Sequence, residues 1–211
     1  MIIVIGGIKG GTGKTTIATN IVAMRSQSQK VLFIDADELG GSFEWVEHRK
    51  SLNIPTSWTT IQLSGKHIHQ EIEKLHKNYE DIIIDAGGRD TTSQRSCLVI
   101  ADLLVIPFRP RTPDIWTLDR MDEIVSDAKK SNPKLKCLAV INQADSQGKD
   151  NQDAKDILSE CKSFIVSPTT IGLRKSFHNA FSQGLGICEF KKSSTIAKQE
   201  MKDLYSTLFI L

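Results

Sequence analysis

Three things are scarce in this sequence, and each scarcity removes a class of answer. Charge of one sign comes first: 27 Lys and Arg against 25 Asp and Glu leave a net charge of +2 over 211 residues. That is too little for the chain as a whole to be drawn to nucleic acid or a membrane, so any such partner must meet a local patch. Clustered cysteines come second. Cys97, Cys137, Cys161 and Cys188 are too scattered for a zinc or dithiol motif, and a reduced cytosolic interior fits them best. Long apolar runs come third. The opening MIIVI stretch ends after five residues at two glycines, too short for a signal-peptide core or a membrane span, and the protein is expected to be soluble and unprocessed. Repeats, low-complexity tracts and Pro/Ser-rich linkers are missing too. With 39% hydrophobic residues the chain can bury one sizeable core, and residues 1–211 are taken as a single domain.

What is present is an alternation of short apolar runs with longer helical patterns. Strands are predicted near Ile2–Gly6, Lys30–Asp35, Asp81–Asp85, Leu103–Pro107, Lys136–Ile141 and Ser163–Ser167. The central ones are almost unbroken Val and Ile, which suits strands covered on both faces. Helices are predicted over Lys14–Arg25 and Pro113–Lys130, the second opening on proline and repeating Ile115, Leu118, Met121, Ile124 and Val125. Strand–helix–strand order implies right-handed crossovers and an α/β fold with a twisted, mostly parallel sheet flanked by helices on both faces. The tail from Ser194 to Leu211 carries Ala197, Met201, Leu204, Tyr205, Leu208 and Leu211 on one stripe. It is read as a closing helix packed on the sheet rather than a membrane anchor.

Between the first strand and the first helix lies IKGGTGKTT, residues 8–16. Glycines at Gly10, Gly11 and Gly13 let a loop fold its N–H groups, Thr12 included, around phosphate oxygens, and the helix N-terminus adds its positive end. Lys14 would bridge the outer phosphates, Thr15 would offer a hydroxyl to Mg²⁺, and Thr16 would contact an inner phosphate. One lysine is enough for that work, yet the loop has two. Ile8 also stands where the strict phosphate-loop pattern requires glycine, leaving Lys9 ahead of two glycines.

That arrangement resembles the deviant Walker A motif of the ParA/MinD family of ATPases, which belong among the P-loop NTPases. The resemblance implies that Lys9 reaches across a face-to-face homodimer to phosphates held by the other subunit, supplying a cation in trans as an arginine finger does elsewhere. ATP and Mg²⁺ are the implied ligands.

Two apolar strands end in aspartates. Asp35 and Asp37 in FIDADE are two residues apart, so on an extended segment both carboxylates face the same way, at the carboxyl edge where open parallel sheets bind ligands. The resemblance makes Asp37 the residue that positions the attacking water and sets Asp35 beside Lys14 or the metal. DIIIDAGG resembles a Walker B strand, with Asp85 holding Mg²⁺ and residues 89–94 forming a switch segment. NQAD, residues 142–145, looks like the guanine-reading N-K-x-D with glutamine in place of lysine. Family precedent assigns Asn142 to adenine instead.

Further matches at Ser42, Trp45, Pro107, Asp114, Arg174, Phe177, Ala180, Gly184 and Glu189 make the chain similar to the small single-domain ParA partition proteins. Asp37-Glu38-Leu39 and Ala86-Gly87-Gly88 depart from the usual family wording and leave the subtype open. The implied function is ATP-dependent segregation or positioning of plasmid or chromosomal DNA. The partners would be nonspecific DNA and a small centromere-binding ParB-type protein, with a cytoplasmic, nucleoid-associated location and no membrane. The phosphate loop starts too early for an N-terminal helix-turn-helix module. Arg174, Lys175, Lys191, Lys192, Lys198 and Lys202 are the candidate DNA contacts. Alternatives are positioning of a conjugation or carboxysome complex and a metabolic ligase of the dethiobiotin-synthetase type. An iron–sulfur reductase is disfavoured because its cluster cysteine would fall at Thr92.

Overall fold

A computed structural model describes residues 1–111 and 116–210. In chain order the elements are β1 (Ile2–Ile5), α1 (Lys14–Arg25), β2 (Val31–Asp35), α2 (Gly41–Ser51), β3 (Thr59–Gln62), α3 (Ile68–His76), β4 (Asp81–Asp85), α4 (Thr92–Leu98), β5 (Leu103–Phe108), α5 (Leu118–Ser131), β6 (Lys136–Ala144), α6 (Asp150–Glu160), β7 (Ile165–Val166), β8 (Ile171–Gly172), α7 (Lys175–Phe181) and α8 (Thr195–Leu208).

The strands form one sheet in the order β3-β2-β4-β1-β5-β6-β7, with β8 also on β6. The recorded strand pairings are parallel. Side chains alternate across such a sheet, and the isoleucines of β4 show it: Ile82 and Ile84 enter the core on one face and Ile83 the core on the other. Each is fully buried, contributing about 2 kcal/mol of hydrophobic stabilisation. The helix stripe near the C-terminus behaves as expected. Ala197, Met201, Leu204 and Leu208 are buried against the sheet face that α1 covers, and Ser194 caps the helix through the Ala197 N–H at 3.0 Å.

Several boundaries differ from the sequence expectation. β6 runs on to Ala144 because β8 pairs with the extension, Asn142 with Ile171 and Ala144 with Gly172. The outer strand expected over Ser163–Ser167 shortens to Ile165–Val166. β3 was not foreseen: it is a half-exposed edge strand reading TTIQ, without an apolar run. Pro113, Asp114 and Ile115, at the expected start of α5, lie outside the described residues, as does Leu211.

The topology concentrates chemistry at one edge. β1 lies between β4 and β5, and β2 flanks β4 on the far side. The segments following β1, β2 and β4 therefore leave the same carboxyl edge side by side, at the switch point where open α/β sheets hold ligands.

Candidate nucleotide site

The loop from Gly6 to Gly13 is held by three side chains from two elements. Gln94 Oε1 of α4 accepts the Gly7 N–H at 2.8 Å. From the end of β6, Asn142 Nδ2 donates to the Thr12 carbonyl at 2.6 Å and Gln143 Nε2 to the Gly11 carbonyl at 2.7 Å. Gly13 closes the loop at φ 93°, and a Cβ there would fall 2.2 Å from Asn142 Nδ2, so only glycine fits both the angle and the space. Lys14 then starts α1. Its ammonium, nearly buried, donates to the Lys9 carbonyl at 2.8 Å.

Asp35 and Asp85 are register partners on neighbouring strands, and both are almost fully buried. Asp35 spends its two oxygens on backbone: Oδ1 accepts the Asp37 N–H at 3.0 Å and Oδ2 the Phe43 N–H at 2.8 Å. It is therefore the brace of the β2–α2 turn, each oxygen holding one backbone N–H. Asp85 Oδ1 has no hydrogen-bond partner. Burial pushes its carboxyl up to about 7, with the Asp35 carboxylate adding to the rise; the Thr15 and Ser42 hydroxyls and the Lys14 ammonium pull the other way without matching it. A carboxylate that is inward, costly to ionise and short of a partner suits a cation.

Asp37 rests against the loop after β4, with Cγ 3.0 Å from where a Gly87 Cβ would stand. Gly88 in turn presses on the phosphate loop: a Cβ there would be 3.0 Å from Gly10 Cα and 3.1 Å from Lys14 Nζ. These contacts enclose a cavity of about 640 Å³ lined by Gly10, Gly13, Lys14, Thr15, Asp37 and Gly88 among others. A second cavity, about 300 Å³, adjoins it on the β6 side. Asn142, Gln143, Ile171, Phe177, Phe181 and Met201 give it an apolar lining with two amides. A more polar chamber beside a more apolar one has the division of a nucleotide: phosphates in the first, base in the second.

Residues 3–187 match the CbiA family, the CobQ/CobB/MinD/ParA nucleotide binding domain. The chain belongs to this family. Maintenance of carboxysome distribution protein A of Halothiobacillus neapolitanus is 26% identical over 206 residues, covering 95% of this chain and 92% of the relative. Among solved structures, a Cyanothece McdA–ATP complex aligns with a TM-score of 0.83 at 21% identity, covering 99% of this chain and 96% of that one. A plasmid partition protein of Borrelia burgdorferi B31 bound to AMPPNP aligns with a TM-score of 0.78 at 19% identity, covering 100% and 99%. The fold is thus the P-loop NTPase-like α/β architecture of ParA and MinD proteins.

Within this ParA-type frame the expected phosphate-loop residues Gly10, Gly11, Gly13, Lys14, Thr15 and Thr16 line the large cavity together with Asp37; Thr12 faces the β5 side of the loop, and Asp85 is buried beside Thr15 and Lys14. Lys9 stands apart: it lines a narrow cleft with Ile8, Thr12, Pro107, Phe108 and Met121 on the β5 side of the loop. For Mg²⁺, the open Asp85 Oδ1 and the Thr15 hydroxyl are the fitting oxygen donors. The ion would supply charge neutralisation on phosphate oxygens.

The basic residues near the C-terminus divide. Arg174 is committed to Glu200 on α8, its Nε at 2.9 Å, and Glu200 also accepts the Gly172 N–H at 3.2 Å, so it ties β8 to the closing helix. Lys175, Lys191, Lys192 and Lys202 are exposed and Lys198 is half-buried. Sequence reading missed Gln94 and Gln143 as supports of the loop, because their partners are backbone groups 87 and 132 residues away. Among the described residues no helix is long and apolar enough to cross a membrane.

Proposed function

We propose that this chain is an ATP-hydrolysing switch of the ParA type that dimerises on ATP, completing each phosphate site with Lys9 of the other subunit. The observation that carries this is the position of Lys9. Its carbonyl holds Lys14 inside the chain's own site, while the residue lines a separate cleft on the far side of the loop, where it can serve a facing copy. Asp37, at the mouth of the cavity, positions the attacking water. Thr15 and Asp85 hold Mg²⁺, and Asn142 meets the base.

Adenine is favoured over guanine by the state of Asp145. Guanine reading in an N-K-x-D loop needs that carboxylate free to accept from the base. Here Arg111 takes both oxygens, one at 2.9 Å, and Asp145 is absent from the described lining of the apolar cavity.

Lys9→Ala should leave nucleotide binding by the monomer intact and abolish ATP-dependent dimerisation in light scattering. An undiminished dimer would remove the trans role. The dimer then holds DNA without sequence preference through Lys175, Lys191, Lys192, Lys198 and Lys202, and a cargo-bound protein stimulates hydrolysis. Retention on nonspecific DNA with ATP but not ADP, falling steeply with salt, checks that step.

Replicon DNA, through a ParB-type partner, is the cargo first in line. A protein assembly is the second reading, favoured by the 26% identity to a carboxysome distribution protein across 95% of the chain. A small ribbon-helix-helix protein encoded beside this chain would decide for the replicon.

A further inference from the structure

We infer that Arg89 is a third phosphate-binding cation of this site, placed to meet the terminal phosphate of a bound nucleoside triphosphate and to make the cavity prefer tri- over diphosphate. The inference rests on the reading that the cavity holds such a nucleotide.

The eight arginines of the chain all fall in described residues. Six are ion-paired: Arg25 to Asp81, Arg49 to Glu189, Arg95 and Arg120 to Asp90, Arg111 to Asp145 and Arg174 to Glu200. Arg109 also has a polar or electrostatic contact. Of the arginines, all of them among the described residues, Arg89 alone has no ion-pair or hydrogen-bond partner, and it lines the phosphate cavity beside Lys14, Asp37 and Gly88.

Its neighbours fix its place. On one side, Gly88 packs directly on the phosphate loop, leaving no space for even a methyl group between itself and Gly10 or Lys14, so Arg89 follows a residue in contact with the loop. On the other, Asp90 is clamped by Arg95, with Nε at 2.6 Å and the second guanidinium nitrogen at 2.8 Å, and by Arg120 at 3.0 Å. The adjacent carboxylate is thus neutralised and cannot fold back onto Arg89. An unpaired guanidinium at the rim of an anion-binding chamber has one class of ligand suited to it, a phosphate oxygen pair that matches its planar fork. A nucleoside diphosphate lacks the outermost oxygens.

Calorimetric titration of wild type, Arg89→Ala and Arg89→Lys with ATP and with ADP, in Mg²⁺ buffer, tests this. Arg89→Ala should bind ATP about tenfold more weakly while ADP binding changes less than about twofold, and Arg89→Lys should recover part of the loss. Equal weakening of both nucleotides, or no weakening of either, overturns the inference. Should Arg89→Ala melt earlier than wild type, the ATP-to-ADP ratio of folded Arg89→Lys decides: an unaltered ratio counts against it, a reduced one for it. Wild type that binds neither nucleotide defeats the site reading and this inference together. Intact wild-type binding with an unaltered ratio in the variants defeats this inference alone.

Discussion

The ends of β2 and β4 look alike in sequence and differ in the folded chain. Each is an apolar strand closing on an aspartate, and the two aspartates are register partners, buried to nearly the same degree. Asp35 answers its burial with two backbone N–H donors from the turn that follows it. Asp85 leaves Oδ1 unanswered and keeps its proton up to about pH 7. One carboxylate braces the turn beside it and the other keeps an oxygen without a hydrogen bond. Identical chemistry at equal depth meets different surroundings in the residues that follow: after Asp35 a five-residue turn brings the first turn of α2 back onto the carboxylate, whereas after Asp85 the chain passes Asp37 at Gly87 and meets the phosphate loop at Gly88.

Two substitutions, read in three experiments, can break or sharpen that contrast. The largest effect should come from Asp85→Asn, which keeps the shape and removes the charge; Mg²⁺-dependent hydrolysis should fall on the order of 1000-fold in a phosphate-release assay. Full activity in that variant would erase the distinction. Next comes Asp35→Ala. It leaves the Asp37 and Phe43 N–H groups without acceptors, and denaturant unfolding should register a loss of about 3 kcal/mol. An unchanged midpoint would mean that the brace is dispensable.

The smallest effect is on the pH dependence of the ligand-free protein. A group that holds its proton more tightly when folded stabilises fully below its unfolded pKa, and the contribution is lost as pH rises through the folded one. For Asp85 that window runs from its ordinary 3.8 to about 7. Between pH 5 and pH 8 wild type should therefore lose roughly 2 kcal/mol relative to Asp85→Asn. Parallel melting curves for the two proteins across that range would refute it.

How much of this was legible in the chain follows the same divide. β1, β2, β4 and β5 were readable because strands buried on both faces leave unbroken apolar runs. The phosphate loop was readable because its glycines and Lys14 are local requirements. β3 was not, since an edge strand reading TTIQ gives no apolar signal. The separate fates of Asp35 and Asp85 were not either, because the donors that satisfy Asp35 are backbone groups, which every sequence supplies and none advertises. Arg174 illustrates the same limit: as a sequence feature it is a basic residue in a basic stretch, and only the packing of β8 on α8 reveals Glu200 as its counterpart.

The bonds from Asn142 and Gln143 to successive carbonyls of the loop carry one last consequence. Both amides issue from one strand end, and both residues border the apolar chamber. On the proposed reading, the strand end would act as a caliper of fixed opening between a ring in that chamber and the phosphates beside the loop. Changing the ring would move the jaw that sets the other end, so selectivity for the base should surface in the speed of turnover as well as in the tightness of the grip.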